Sequence, residues 1–241
     1  MHPLLLIQTG EAPDALRARF GGFADWFLKA MRVDPAQVRV VRVDAGEALP
    51  NPATIAGAVI TGSAAMVTER APWSERTAGW ISDALDVGTP LFGVCYGHQL
   101  MAHALGGTVG WLPAGREIGT ESITRGDAPG NGLDDLPRVF PAQTTHRQSV
   151  LAPPPGVEIL ARSERDPHQL LRYAPNALSS QFHPEFTPDF MRAYIEVRAD
   201  ALREEGLDPD ALLADVRETE AARLLLERFA HAALTRRRVA A

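Results

Sequence analysis

A chain of 241 residues, 45% of them apolar, can bury a large core but is short for two full domains. Its net charge of −6 argues against a nucleic-acid partner, which would need a broad basic face, and the one basic run, Arg236-Arg237-Arg238, reads as a solvated helix end. The single cysteine, Cys95, excludes an internal disulfide and a two-cysteine zinc site and fits a reducing compartment; with no signal-like or membrane-length apolar stretch, the expectation is a cytoplasmic protein without a membrane partner.

In chain order, Leu4-Leu5-Leu6-Ile7 reads as a short buried strand, and apolar residues at helical spacing predict a helix from Pro13 to Met31. A strand over Val38–Val43 precedes turn residues at Asp44-Ala45-Gly46, and a third, Gly57–Ile60, runs into Thr61-Gly62-Ser63. A helix over Trp73–Val87 stops at Gly88, Pro90 opens the strand Leu91–Val94, and a helix over Tyr96–Leu105 ends at Gly106-Gly107. Short apolar strands alternating with helices imply a doubly wound α/β fold with a mostly parallel central sheet. From Thr108 to about Gln181, short β-like runs separated by Gly, Pro, Asn and Asp predict small antiparallel additions: Ile118–Thr124, Arg138–Phe140, Ser149–Leu151, Val157–Ala161, Gln169–Tyr173 and Ala177–Phe182. A C-terminal helical tail follows, with helices near Asp189–Glu205, Asp208–Asp215 and Glu218–Arg236. The organisation expected is one domain over residues 1–188 with a helical extension, 189–241, packed on it.

Taken alone, a cysteine after an apolar strand is more often an inert core residue. Here Gly93-Val94-Cys95-Tyr96-Gly97 has the form G-x-C-x-G between strand and helix, the cysteine counterpart of a nucleophile elbow. A thiol so placed lies at a helix N-terminus, which favours the thiolate. Gln181-Phe182-His183-Pro184-Glu185 supplies a candidate base, His183, and an orienting carboxylate, Glu185, which an extended segment would project to one side. A satisfied surface His-Glu pair is the bland alternative. His98 competes as the base, whereas His103 and His231 read as helix-surface residues. The polar run Gln143–Ser149 could line a pocket, which makes His146 and Ser149 candidates for substrate contact, hairpin decoration being the alternative. Oxyanion donors are expected from the N–H of Tyr96 and from the turn at Gly62 and Ser63. No residue spacing completes a metal site, and Lys29, the sole lysine, does not follow a phosphate-binding glycine run.

Gly93-Val94-Cys95-Tyr96-Gly97-His98-Gln99, Phe182-His183-Pro184-Glu185 and Thr61-Gly62-Ser63 together resemble the class I glutamine amidotransferases, particularly stand-alone relatives of the glutaminase domain of GMP synthase. The resemblance spans about residues 4 to 188. It implies a three-layer, flavodoxin-like αβα fold and a triad of Cys95, His183 and Glu185. It also implies an oxyanion hole from Gly62 or Ser63 with Tyr96, a role for Gln99 in holding the glutamine backbone, and no cofactor. Leucine commonly follows the cysteine in that family, and Tyr96 departs from the pattern.

The activity so implied is hydrolysis of the glutamine side-chain amide through a cysteinyl thioester. Ammonia would pass to a separate synthetase subunit, because nothing in this sequence could activate an acceptor. A γ-glutamyl hydrolase using water as acceptor is a close variant, and a non-catalytic regulatory module is the alternative from another class. A cysteine α/β-hydrolase is disfavoured because there the acid precedes the histidine.

Overall fold

The computed structural model describes residues 2–127 and 133–236, so Arg237 and Arg238 of the basic run lie outside the described residues. A sheet in the order β2-β1-β3-β4-β11-β10-β9-β6-β7 runs through the molecule. Strands β1 (Leu4–Gln8), β2 (Val38–Arg42), β3 (Gly57–Ile60), β4 (Leu91–Val94) and β11 (Ala177–Ser180) are parallel to their neighbours in this set. Antiparallel β10 (Leu170–Ala174), β9 (Glu158–Arg162), β6 (Glu117–Arg125) and β7 (Val139–His146) continue the same sheet. The pair β5 (Thr108–Trp111) and β8 (Gln148–Ala152) forms a separate ribbon.

Alternation along β1 shows why the strands are apolar throughout: successive side chains point to opposite faces, and both faces are covered. Leu4 and Leu6 join a core with Phe27 and Met31 of α2 (Phe23–Met31) and with Leu226 and Phe229 of α8 (Glu220–Thr235). Leu5 and Ile7 join a second core with Ile81 of α3 (Pro72–Asp86) and Leu100 and Met101 of α4 (Tyr96–Ala104). The fold is therefore a three-layer α/β arrangement, with α8 covering one face of the central strands.

Two expected helices are each divided. The segment predicted from Pro13 to Met31 forms α1 (Asp14–Phe20) and α2, because Gly21 turns at φ +84° and the Asp25 carboxylate accepts the Gly22 N–H at 2.8 Å to start the second helix. The segment predicted from Asp189 to Glu205 forms α5 (Pro188–Val197) and α6 (Ala199–Glu204), with Arg198 between them at ψ 8°. With α7 (Pro209–Ala214), these helices build a third apolar cluster, including Trp26, Phe186, Phe190 and Met191, above the C-terminal ends of the parallel strands. Open α/β sheets bind ligands at those ends, where the strand order reverses, and here the reversal lies at β1 and β3.

Candidate active site

Cys95 stands between β4 and α4 at φ +50°, ψ −96°, outside every region an L-residue populates readily. Such a conformation costs roughly 1–3 kcal/mol, and the surroundings hold it. The Cys95 N–H donates to the Ser180 carbonyl at 2.8 Å and its own carbonyl accepts from the Gln99 N–H at 3.0 Å. The flanking glycines have no room for a side chain: a Cβ on Gly93 would stand 2.5 Å from the Gly97 carbonyl oxygen, and one on Gly97 2.5 Å from that of Ile60. The spacing G-x-C-x-G is thus a packing requirement of the elbow. Tyr96 fixes it from the other side, its hydroxyl bonded to Ser74 Oγ at 2.6 Å and its ring 5.5 Å from that of Trp73 on α3.

His183 and Glu185 belong to a turn after β11 rather than to a strand; the Phe186 N–H closes it on the His183 carbonyl at 3.3 Å. Strand alternation is therefore not what brings the two side chains together, yet they meet, His183 Nδ1 bonded to Glu185 Oε1 at 2.7 Å. The His183 N–H donates to the Gln143 carbonyl at 2.8 Å and the ring stacks on Phe186 at 4.1 Å. Cys95, His183 and Glu185 are all buried. Burial on its own would push the His183 imidazole down, but the Glu185 carboxylate and then Cys95 outweigh it, so the ring is held well above its ordinary pKa. Nε2 has no hydrogen-bond partner among the described residues, which leaves it open to a reacting group.

Gly62 approaches both partners: a Cβ there would stand 3.2 Å from His183 Cε1 and 3.7 Å from Cys95 Cβ. Its carbonyl accepts from Thr9 Oγ1 at 2.8 Å, so the trans peptide directs the Ser63 N–H away from Thr9. The Ser63 hydroxyl donates to the Thr9 carbonyl at 2.7 Å, locking the turn to the end of β1. Among the described residues nothing accepts the N–H of Gly62, Ser63 or Tyr96.

Two cavities open on either side of Cys95, sharing Ser63, Ala64, Thr145, Tyr194 and Arg198. The histidine side, ≈ 80 Å³, holds His183 and Glu185 and is walled by Phe23, Trp26, Phe27 and Phe186. The other side, ≈ 120 Å³, is polar and holds Tyr96, Gln99, Arg116, His146, Arg147 and Gln148. Arg116 and Arg147 both pair with Glu205 next to α6, with Arg116 Nε at 2.6 Å, so the helices beyond α5 are tied to the rim of this cavity.

The remaining candidates separate. Gln99 faces the polar cavity, its Nε2 donating to the Gln148 carbonyl at 2.7 Å and to Gln181 Oε1 at 3.0 Å. His146 lines the same cavity, but both ring nitrogens are engaged, Nε2 with Glu117 at 2.8 Å and Nδ1 with the Gln148 carbonyl at 3.0 Å. Ser149 faces inward, bonded to Asp166 Oδ2 at 2.5 Å, and lines neither cavity. His98 is fully buried with Nδ1 on Ser179 Oγ at 2.7 Å, its pKa lowered by burial to about 4, and it lines neither cavity. His103 pairs with Glu75 at 2.9 Å, and His231 is exposed. Thr145 belongs to the polar run read as a possible pocket lining, although only His146 and Ser149 of that run stand out as candidates; sequence reasoning missed Tyr194 of α5 and Arg198 just after it, where nothing in the sequence marks proximity to Cys95.

Residues 20–198 match the family model of glutamine amidotransferase class-I. The chain belongs to that family. It is 34% identical over 185 residues to GMP synthase [glutamine-hydrolyzing] of Aeropyrum pernix, a match covering 75% of this class-I amidotransferase chain and 34% of that protein. It is also 27% identical over 199 residues to Gamma-glutamyl peptidase 5 of Arabidopsis thaliana, covering 80% and 78%. This amidotransferase thus spans about a third of the Aeropyrum GMP synthase. In fold it is similar to a glutamine amidotransferase from Thermotoga maritima (TM-score 0.72, 21% identity, 97% of each chain). A second similar structure is a glutamine amido transferase from Methylobacillus flagellatus (TM-score 0.74, 24% identity, covering 97% of this chain and 92% of that one). No helix among the described residues is long and apolar enough to cross a membrane.

Proposed function

We propose that the protein hydrolyses the side-chain amide of glutamine, with Cys95 as nucleophile, His183 as acid and base, and Glu185 orienting the imidazole. The observation that carries this reading is His183: Nδ1 held by Glu185 at 2.7 Å, Nε2 free, and the ring in the cavity that also contains Cys95. The Cys95 sulfur attacks the amide carbon, and the developing oxyanion is met by the free N–H groups of Tyr96 and of Gly62 or Ser63. His183, protonated beside Glu185, delivers its proton to the departing nitrogen as the C–N bond breaks, and ammonia leaves. The neutral imidazole then takes a proton from water, which cleaves the γ-glutamyl thioester to glutamate and restores the thiol. The polar cavity with Gln99 and the arginines takes the amino-acid end of glutamine.

Ammonia so released serves a separate acceptor-activating chain, a reading supported by the likeness to glutamine-hydrolysing GMP synthase over about a third of that protein's length. We read residues 1–188 as the amidotransferase domain and 189–241 as an extension packed on it, and a reducing cytoplasm as the setting that keeps Cys95 a thiol. Glutamate and ammonia release from glutamine by purified protein, and its loss in Cys95→Ala, test the reading. A protein inert to glutamine and unlabelled at Cys95 by a glutamine-mimicking diazo ketone would overturn it.

A further inference from the structure

We infer that Arg198 selects substrates by their free α-carboxylate: its guanidinium holds that group of glutamine while Cys95 acts on the side-chain amide, so a molecule with the same amide but no carboxylate is used poorly. This rests on the hydrolytic reading above and deepens it by naming a specificity-determining residue.

The amino-acid end of the substrate belongs on the polar side. The amide nitrogen must reach the group that protonates it, and His183 lines the histidine-side cavity alone, whereas Gln99 and Gln148 line the polar one alone. That cavity suits an anion. The guanidinium-bearing residues Arg116, Arg147 and Arg198 line it, and no aspartate or glutamate does.

Two of the three arginines are already paired. Arg116 places Nε and Nη2 on the two oxygens of the Glu205 carboxylate, at 2.6 and 3.0 Å, and Arg147 pairs with the same carboxylate. Arg198 has no ion pair or side-chain hydrogen bond among the described residues. Its guanidinium lies over the Tyr194 ring, 5.1 Å from the centroid, and a contact through the ring face leaves the N–H edges free. The break between α5 and α6 fixes its backbone, the Arg198 N–H donating to the Tyr194 and Ile195 carbonyls at 3.2 and 3.1 Å. Arg198 and Cys95 line both cavities, so this cation faces the space beside the sulfur.

A carboxylate entering that space loses water and needs a charged donor in return. Arg198 is the unpaired cation there. The α-ammonium has an acceptor as well: Gln148 is 1% exposed and its Oε1 is buried without a partner. An amino-acid head group therefore meets both of its charges on this side of Cys95.

The test compares kcat/KM for side-chain deamidation of glutamine and of glutaminamide, in which a neutral amide replaces the α-carboxylate; isoglutamine is the product read for the second. The wild type is expected to favour glutamine by about 10–100-fold, the range of a hydrogen bond to a charged group. In Arg198→Ala that preference is expected to fall by about tenfold or more, through a raised KM for glutamine with kcat changed less. Arg198→Lys, which keeps the charge but not the planar fork, should restore part of it. Damage to the cavity alone would slow both substrates together and leave the ratio standing. A ratio unmoved in Arg198→Ala therefore overturns the inference while leaving the glutaminase reading intact, as does a wild type indifferent to the α-carboxylate. Should Arg198→Ala fail to fold, Arg198→Gln, which keeps a long side chain over Tyr194, carries the same comparison. Turnover of neither substrate by the wild type overturns both readings.

Discussion

The Tyr96 hydroxyl meets Ser74 Oγ at 2.6 Å, so the residue after Cys95 is fastened to α3. Burial pushes the Tyr96 phenol up to about 12, so it stays a neutral donor throughout the working range. Tyr96→Phe would leave Ser74, itself fully buried, without this partner. A loss of about 1–3 kcal/mol in denaturant unfolding is expected, and Tyr96→Phe combined with Ser74→Ala should recover part of it. Equal stability of Tyr96→Phe and wild type would show that the bond contributes nothing.

At an ordinary helical position, glycine is less stable than alanine by roughly 0.5–1 kcal/mol. At position 95 the order should invert, because alanine keeps the strained φ of +50° and glycine does not. Thermal melts of Cys95→Ala and Cys95→Gly give the comparison. Both should be inactive, and Cys95→Gly the more stable by about 1 kcal/mol.

Glu185 raises the affinity of His183 for its proton, and under the proposed mechanism the alkaline limb of kcat/KM reports loss of that proton. Glu185→Gln removes the carboxylate, so burial is opposed less and the imidazole pKa falls. The alkaline limb should move to lower pH, with kcat lower by about 100-fold or more. A pH profile with an unmoved alkaline limb would separate Glu185 from the proton chemistry.

His98 stays neutral inside the fold, its pKa lowered to about 4 against 6.5 in an unfolded chain. Between these values the unfolded state binds the extra proton, so stability falls as pH drops from 6.5 toward 4, by about 3 kcal/mol for this group. His98→Gln should lose that part of the acid slope when unfolding free energies are compared across the interval. An identical slope in both proteins would place the acid sensitivity elsewhere.

Much of the parallel half was legible because its strands are short apolar runs set off by turn residues: Gly57–Ile60 and Leu91–Val94 form over those residues. The antiparallel half was less so. β7 extends from Val139 to His146, through Gln143-Thr144-Thr145, and two of those polar residues are buried against partners: Gln143 on Thr120 and the Arg217 carbonyl, Thr144 on the Gly119 carbonyl. Hydropathy carries no trace of buried polar residues satisfied in this way. β5 escaped for a related reason, having half-exposed residues and Gly110 in its middle. At the site, the elbow and the His-Pro-Glu turn announce themselves through side chains whose chemistry is distinctive. Thr145, Tyr194 and Arg198 reach the same cavities only through the packing of β7 and α5, and Glu205 reaches two arginines there across a long sequence separation.

The position of α8 also constrains how the molecule assembles. Leu4 and Leu6 are covered by Leu226 and Phe229, so an apolar flank of the earliest strands stays bare until nearly the whole described chain has formed. Such distant pairings slow folding and leave a sticky intermediate. Refolding should accordingly be concentration-sensitive, yielding best when dilute or in the presence of a holdase that shields that flank until the helix arrives.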